Sequence, residues 1–254
     1  MTVRLEADVW GRADAPPLLL LHGYPLTRAA WTPVLAALSK DFRAIAPDLP
    51  GHGASPAGEG APSIDAMAEA VLALADRLEC ERFDLVGHSL GGYVAFGVLR
   101  RAKDRVRRLA LVTTKATPDS PEAKEARRRQ ADLLEREGPR GLARALIPKL
   151  FREGAGEIAI EEARRMVEGN NVTGLVRALE AMRERPDSTP LLRSIAQPTL
   201  IVAGADDRVM PRSEQERMAK EIPGATLVVL AQSGHMPMIE EPGPLVEALA
   251  RHFL

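Results

Sequence analysis

Short apolar runs alternate with longer amphipathic stretches along most of the chain, and this alternation constrains the fold more than any other feature. Between the apolar runs lie helical patterns such as 64–78, where apolar residues recur at three- and four-residue spacing. Strands that alternate with helices predict right-handed βαβ units, and so an α/β fold with a mostly parallel central sheet and helices on both faces. The runs predicted as buried strands are 18–21, 44–46, 83–86, 109–112, 199–203 and 226–230.

The alternation stops between Lys115 and Ala196, where charged stretches with helical spacing are separated by Pro and Gly. We predict no strand here but several short helices, over 122–135, 141–151, 161–167 and 174–183. The segment 115–196 is therefore interpreted as a helical cap (lid) inserted between two strands of a core that comprises 1–114 and 197–254. Extra helices packed on the edge of the sheet are the alternative.

A Gly-x-Ser-x-Gly motif, Gly87 to Gly91, stands between a predicted strand and a predicted helix. This context is typical of a nucleophile elbow, a strained strand-to-helix turn that projects a serine hydroxyl outward. Glycine is expected at both ends because a Cβ there would clash with neighbouring strands. Ser89 is therefore the candidate nucleophile, and the N–H groups at the start of the next helix are expected beside it.

A serine hydroxyl needs a base that is itself oriented by a third group. His235 follows the last predicted strand, at the carboxyl edge of the sheet, and we predict that it is the base. The preceding strand ends in Gly204-Ala-Asp-Asp, so that either Asp206 or Asp207 can orient His235. The other histidines are expected to pack or to hold loops (His22, His52 and His88) or to lie at the surface (His252).

The last component of such a site is a pair of backbone N–H donors for an oxyanion. The strand at 18–21 ends in the tight loop His22-Gly-Tyr-Pro25, and the N–H of Tyr24 is predicted to pair with that of Leu90. Loss of one such donor typically raises the barrier by roughly 3–4 kcal/mol. An ordinary turn would not explain four components that occur in the right order along one chain.

Composition excludes several other classes of function. The 34 Lys and Arg residues against 35 Asp and Glu residues give a net charge of −1, so no basic excess favours nucleic acid or an anionic membrane. Cys80 is the only cysteine, which excludes an intrachain disulfide and argues against a Cys-based zinc site. The N-terminal residues contain no long apolar run. We expect a cytoplasmic monomer or homodimer that needs no metal or organic cofactor.

These components, in this order, resemble the α/β-hydrolase superfamily over nearly the whole chain. In that family the acid is the last residue of Gly-x-x-Asp, so the resemblance implies Asp207 rather than Asp206. Within the superfamily the chain is similar to small bacterial carboxylesterases and to the related 3-oxoadipate enol-lactonases and cofactor-free haloperoxidases. The runs that carry this similarity are 22–26, 47–55, 117–124 and 185–189.

Together the motifs and the resemblance imply a serine carboxylesterase that cleaves short-chain esters of small molecules through an acyl-enzyme. The alternatives are a lactonase or enol-lactone hydrolase and, outside catalysis, a ligand-binding module with a hydrolase fold. Pro25, which directly follows Tyr24, is shared with the haloperoxidase-like group and implies a side activity that forms peracids.

The predicted cap is expected to shape the pocket. Asp119, Ser120 and Pro121 are predicted to cap a helix. An anionic substrate would call for Lys or Arg in the pocket, but the Arg-rich run 127–129 is interpreted as a solvated face because acids are interleaved with it. The apolar candidates for the pocket are Leu133, Leu146, Ile147, Leu150 and Phe151.

Overall fold

The computed structural model describes residues 2–254. Within this range the strands of the sheet are β1 (Ala7–Trp10), β2 (Pro17–Leu21), β3 (Arg43–Pro47), β4 (Phe83–His88), β5 (Val106–Val112), β6 (Thr199–Gly204) and β7 (Thr226–Leu230). The α-helices are α1 (Thr32–Leu38), α2 (Ile64–Arg77), α3 (Leu90–Ala102), α4 (Pro121–Leu150), α5 (Glu157–Glu168), α6 (Val172–Arg183), α7 (Arg212–Glu221), α8 (Pro237–Glu240) and α9 (Pro242–Phe253). Short 3-10 helices cover Arg28–Trp31, Lys103–Arg105 and Thr189–Ser194.

The strands lie in the order β1-β3-β2-β4-β5-β6-β7. Every neighbouring pair is parallel except β1 with β3, which is antiparallel. Every residue of β4 is buried, and since alternate residues of a strand face opposite sides, both faces of the sheet are covered at its centre. The predicted α/β class with a mostly parallel sheet is confirmed.

All six predicted strands are present, and the differences lie at the edges. β5 begins at Val106 instead of 109, because Arg107 and Arg108 interrupt the apolar pattern that marks a buried strand. β1 was not predicted. It lies at the edge of the sheet, where Val9 and Trp10 are 44% and 40% exposed, and its four residues include an aspartate.

The chain between β5 and β6 is helical, as predicted. α4 is interrupted at Gly138, whose φ is +66°, and Pro139 follows directly. The two halves correspond to the helices predicted over 122–135 and 141–151. Ser120 caps α4 by accepting a hydrogen bond from the N–H of Ala123 at 3.2 Å, and Pro121 occupies the first helical position. That 115–196 acts as a cap remains a prediction.

The core surrounds the sheet, where β2, β4 and β6 contribute residues with almost no exposed surface. Aromatic side chains join it to the flanking elements; for example, the rings of Phe42 and Phe253 meet edge to face at 6.3 Å between centroids. Burial of one such side chain stabilises a fold by roughly 1.5–3 kcal/mol. Within residues 2–254, no helix combines the length and the apolar character that a membrane crossing requires.

Candidate active site

Ser89 lies at the turn between β4 and α3. Its φ of +49° and ψ of −111° are rare for a residue with a side chain and mark a strained turn. A Cβ on Gly91 would lie 2.3 Å from the carbonyl oxygen of Leu21 in β2, so the expected clash with a neighbouring strand is confirmed there. A Cβ on Gly87 would instead lie 2.5 Å from the carbonyl oxygen of Gly91. At Gly87 a Cβ would therefore clash with the first turn of α3, and the prediction that it would clash with a neighbouring strand was wrong.

Asp207 and His235 meet at the carboxyl edge of the sheet. The Oδ2 atom of Asp207 lies 2.8 Å from Nδ1 of His235, and both side chains are almost completely buried. The Oδ1 atom of Asp207 accepts hydrogen bonds from the backbone N–H groups of Val209 and Met210, at 2.8 and 2.9 Å. Asp206 is exposed, and no hydrogen bond joins its side chain to His235. Of the two candidate aspartates, the structure brings Asp207 to the histidine.

The surroundings of Asp207 favour its charged form. Burial alone would raise the pKa of Asp207, but attraction to His235, the hydrogen bond from that ring and the two backbone N–H groups together hold this pKa below its ordinary value. A carboxylate here keeps the proton of His235 on Nδ1 and leaves Nε2 free to accept another.

The backbone N–H groups of Tyr24 and Leu90, the two predicted oxyanion donors, have no hydrogen-bond acceptor among residues 2–254. Leu90 is the first residue of α3, so its N–H has no partner within the helix. Tyr24 and Ser89 line the same cavity. That these two N–H groups bind an oxyanion remains a prediction.

The four remaining histidines are held by backbone groups. Burial, together with repulsion from His235, lowers the pKa of His88 to about 3, so its ring is neutral and donates from Nε2 to the carbonyl oxygen of His235 at 2.8 Å. The expected surface position of His252 is wrong, since its ring is half buried beside Phe253 of the same helix, α9, and its Nε2 lies 3.0 Å from the carbonyl oxygen of Leu109 in β5. Each of the four rings lies within hydrogen-bond distance of one backbone carbonyl oxygen. The pairs are His22 with Gly23, His52 with Pro50, His88 with His235, and His252 with Leu109.

Ser89 and His235 open into a cavity of about 180 Å³ between the sheet and the helices that follow β5. Of the apolar candidates, Leu146 and Leu150 line it, whereas Leu133, Ile147 and Phe151 do not. Ile147 and Phe151 are instead buried in the core. The remaining lining residues are Tyr24, Tyr93, Lys115, Asp119, Ala123, Arg127, Gln130, Met182, Val209 and Met210.

One wall of this cavity is charged, and behind it an ion pair joins the two runs 117–124 and 185–189. Arg185 binds Oδ1 of Asp119 through Nη1 at 2.7 Å, and Arg127 binds Oδ2 of the same carboxylate through Nε. Asp119 therefore anchors two arginines and does not cap α4. The interpretation of 127–129 as a solvated face is correct for Arg128 and Arg129, which are exposed, but wrong for Arg127.

A sequence model of the alpha/beta hydrolase family matches residues 18–248. The chain belongs to this family. Its arrangement of Ser89 after β4, Asp207 after β6 and His235 after β7 follows the order of nucleophile, acid and base in α/β hydrolases. The predicted superfamily is confirmed.

Several α/β hydrolases are similar to this one over nearly their whole length. A thermophilic esterase from Thermogutta terrifontis, solved with malate bound, is 39% identical with a TM-score of 0.94, over 98% of this chain and 92% of that one. The "Putative carbamate hydrolase RutD" of Pseudomonas syringae pv. syringae is 32% identical over 95% of both chains. The enol-lactonase of Burkholderia xenovorans LB400 is 29% identical with a TM-score of 0.90, over 98% and 96%. The similarity to esterases and enol-lactonases is therefore confirmed.

One carboxylate of this α/β hydrolase was not predicted from the sequence, and it fixes the loop that carries His235 (the histidine loop). Glu240 Oε2 accepts hydrogen bonds from the N–H groups of Gly234 and Met236, at 2.9 and 3.1 Å, and Oε1 accepts one from Arg152 at 2.8 Å. Burial raises the pKa of Glu240 in spite of these three donors. The signal was the pair of acids directly before Pro242, just after the loop.

Proposed function

We propose that this α/β hydrolase cleaves small carboxylic esters with short acyl groups by a serine mechanism. One observation carries the proposal: Nδ1 of His235 lies 2.8 Å from Oδ2 of Asp207, and His235 lines a cavity together with the strained Ser89. The Asp207 carboxylate fixes the tautomer in which Nε2 of His235 is unprotonated. A base of that form takes the proton of a serine hydroxyl.

In the first half of the reaction, Nε2 of His235 accepts the hydroxyl proton while Oγ of Ser89 attacks the ester carbonyl. The negative charge on the resulting tetrahedral oxygen is stabilised by the N–H groups of Tyr24 and Leu90. The imidazolium of His235, stabilised by Asp207, then donates its proton to the leaving alkoxide. An alcohol departs, and the acyl group remains on Ser89.

In the second half, a water molecule attacks the acyl-enzyme. His235 accepts a proton from this water, and the same two N–H groups stabilise the second oxyanion. Collapse of the intermediate returns the proton to Oγ of Ser89 and releases the carboxylic acid. The net change is the consumption of one water and the cleavage of one ester bond.

The cavity supports a small substrate. Its volume of about 180 Å³ is below the roughly 300–1,000 Å³ of pockets that enclose drug-sized ligands. Part of its apolar surface comes from Leu146, Leu150 and Met182, which belong to the segment between β5 and β6. We therefore propose that the segment 115–196 forms a cap that limits the length of the acyl group.

Initial rates on p-nitrophenyl acetate, butyrate, octanoate and palmitate test the proposal. We expect rates that fall with chain length, and a loss of at least about 10⁴-fold in Ser89→Ala. Ser213→Ala, which removes an exposed hydroxyl from α7, is the matched control and should retain wild-type rates. Turnover that survives in Ser89→Ala would refute the serine mechanism, and a preference for palmitate would refute the short acyl site.

Lactone hydrolysis is the second candidate, favoured by the similarity to the Burkholderia xenovorans enol-lactonase. A lactone is an internal ester, so Ser89 and His235 would act on it in the same way, with the leaving alcohol still attached to the acyl group. Parallel rates on γ-butyrolactone and p-nitrophenyl butyrate decide between the two. Ser89-dependent turnover of the lactone alone would replace the esterase proposal, and no turnover of either would favour a binding module.

Peracid formation is a proposed side activity, and it rests on Pro25 in the oxyanion loop. In this reaction Ser89 forms the acyl-enzyme from a carboxylic acid with loss of one water, and hydrogen peroxide instead of water then attacks it, which yields the peracid and free Ser89. Acetic acid and peroxide should then yield peracetic acid faster with the wild type than without enzyme, and only at the uncatalysed rate with Ser89→Ala. A product that forms equally in both would refute the side activity.

A further inference from the structure

We propose that the preferred ester carries a second, anionic group, a carboxylate, and that the ammonium group of Lys115 binds it. The inference deepens the proposed esterase function and rests on it. It assigns a charged subsite within the Ser89 cavity, where the sequence predicted apolar residues alone.

Lys115 is placed close to the nucleophile by the sheet. It follows Thr114, whose hydroxyl donates a hydrogen bond of 2.8 Å to the carbonyl oxygen of Ser89. The side chain of Lys115 is half buried and lines the cavity together with Ser89 and His235. A group bound by Lys115 therefore shares one cavity with an ester at the nucleophile.

The ammonium group of Lys115 has no partner within the protein. Among residues 2–254 no carboxylate oxygen lies within 4.0 Å of its Nζ atom, and no acceptor forms a hydrogen bond with it. A partly buried charge without a partner carries a desolvation cost, so such groups are usually paired. A ligand carboxylate would supply the missing partner.

Both acids that act on Lys115, Asp119 and Glu214, are held by other groups. Asp119 is bound on one oxygen by Arg185 and on the other by Arg127. The other acid that acts on Lys115 is Glu214, which accepts a hydrogen bond of 3.1 Å from the hydroxyl of Thr117. Lys115, Arg127 and Arg185 thus stand against two carboxylates, which leaves one positive charge in excess around Lys115.

The electrostatic balance at Lys115 agrees with this count. Burial lowers the pKa of Lys115, and repulsion from Arg185 lowers it further, while Asp119 and Glu214 offset only part of the effect. The surrounding protein therefore disfavours the protonated, charged form of Lys115. An anion beside Nζ would reverse this balance, because an opposite charge within about 4–6 Å favours the protonated form.

The size of the cavity limits what this anion can be. At about 180 Å³, it holds about six water molecules at ~30 Å³ each. A half-ester of a short dicarboxylic acid fits this description, with its ester carbonyl at Ser89 and its free carboxylate at Lys115. Hydrolysis of monomethyl succinate, for example, consumes one water and yields succinate and methanol.

Matched pairs of esters test the charged subsite. Monomethyl succinate is compared with methyl levulinate, in which a methyl ketone of similar size replaces the carboxylate. Monomethyl glutarate is compared with methyl 5-oxohexanoate in the same way. Lys115→Met should lower kcat/KM for the half-esters by about 10- to 100-fold, the effect of one charge-assisted hydrogen bond, and for the neutral esters by less than about threefold. Lys115→Arg should retain most of the preference.

Lys220→Met is the control for the loss of one positive charge, because Lys220 is exposed and lies outside the cavity. In each matched pair, Lys220→Met should leave the ratio of kcat/KM for the half-ester to kcat/KM for the neutral ester unchanged. If Lys115→Met lowers the rates on both members of a pair equally, or on neither, the carboxylate subsite is refuted while the esterase function stands.

A binding measurement tests the carboxylate subsite without requiring turnover. Calorimetric titration of Ser89→Ala with monomethyl succinate should give a dissociation constant at least about tenfold lower than titration of Ser89→Ala/Lys115→Met. If the wild type hydrolyses none of the esters, the proposed function fails, yet this difference would still support an anion site. Equal affinity of the two variants, or no binding to either, would refute it.

Discussion

Replacing Asp207 with asparagine removes one charge from the site and almost no volume. Oδ1 of Asp207 accepts two backbone N–H groups, whereas Oδ2 accepts the ring N–H of His235. The amide oxygen of an asparagine would stay with the two backbone donors. Its NH₂ group would then face Nδ1 of His235, which must become an acceptor, so the ring proton moves to Nε2.

The expected cost to catalysis is large and the cost to stability is small. With its proton on Nε2, His235 cannot take the proton of Ser89, and loss of the correct tautomer in a comparable triad lowers kcat by about 10⁴-fold. That factor corresponds to roughly 5.4 kcal/mol at ~1.36 kcal/mol per decade. The lost charge-assisted hydrogen bond should lower the free energy of unfolding by only about 1.5–3 kcal/mol.

The assay is kcat on p-nitrophenyl butyrate for the wild type, Asp207→Asn and Asp206→Asn, with urea unfolding of each. Asp206 is adjacent but exposed, so its variant is the matched control and should retain wild-type kcat and stability. A loss below about tenfold in Asp207→Asn, or an equal loss in both variants, would refute the assignment of the orienting acid.

Three further predictions concern stability. Gly91→Ala places a Cβ 2.3 Å from the carbonyl oxygen of Leu21, so we expect the free energy of unfolding to fall by about 1–3 kcal/mol or more in urea titrations. Asp119→Asn leaves Arg185, whose side chain is 3% exposed, without its counter-charge, and should cost about 3–5 kcal/mol. The pKa of Asp207 is lower in the folded protein than in the unfolded chain, so its contribution is present above the ordinary pKa of about 3.9 and lost as the pH falls through the folded value. The unfolding free energies of wild type and Asp207→Asn should therefore differ at pH 7 and converge at acidic pH.

The first two of these predictions each have a control. Gly243→Ala adds a Cβ with no atom within 4 Å and should be neutral or slightly stabilising. Glu247→Gln breaks an exposed pair with Arg251 and should change the unfolding free energy by less than about 1 kcal/mol. If either control costs as much as its buried counterpart, the packing or ion-pair argument is wrong. A constant gap between wild type and Asp207→Asn at all pH values would refute the linkage argument.

The parallel strands were predictable because their environment leaves a direct mark on the sequence. A strand covered on both faces needs apolar residues at nearly every position, which makes 18–21 and 199–203 visible as continuous runs. An edge strand has no such requirement. β1 exposes Val9 and Trp10 and pairs with only one neighbour, so its pattern does not differ from that of a loop.

The site was predictable where chain order determines position. The carboxyl ends of parallel strands meet at one edge, so Ser89, Asp207 and His235 were expected to converge there. The charged wall was not predictable in the same way. Arg127 and Arg128 are neighbours on one helix, and only the tertiary placement of Asp119 makes one buried and leaves the other in solvent. The absence of a partner at Lys115 has no sequence signal at all.

Glu240 determines where this chain can be recombined with its relatives. Its carboxylate joins the N–H groups on either side of His235 to that of Arg152, and the N–H of His235 itself donates to the carbonyl oxygen of Leu150 at 2.8 Å. If the helical segment of a relative is exchanged together with the residues at 150–152, both backbone groups that contact the histidine loop and Glu240 come from the same protein as the helices. If the exchanged segment ends before Leu150, the contacts of Leu150 with His235 and of Arg152 with Glu240 must form between residues of two different proteins. The junction of a chimaera should therefore lie after Arg152.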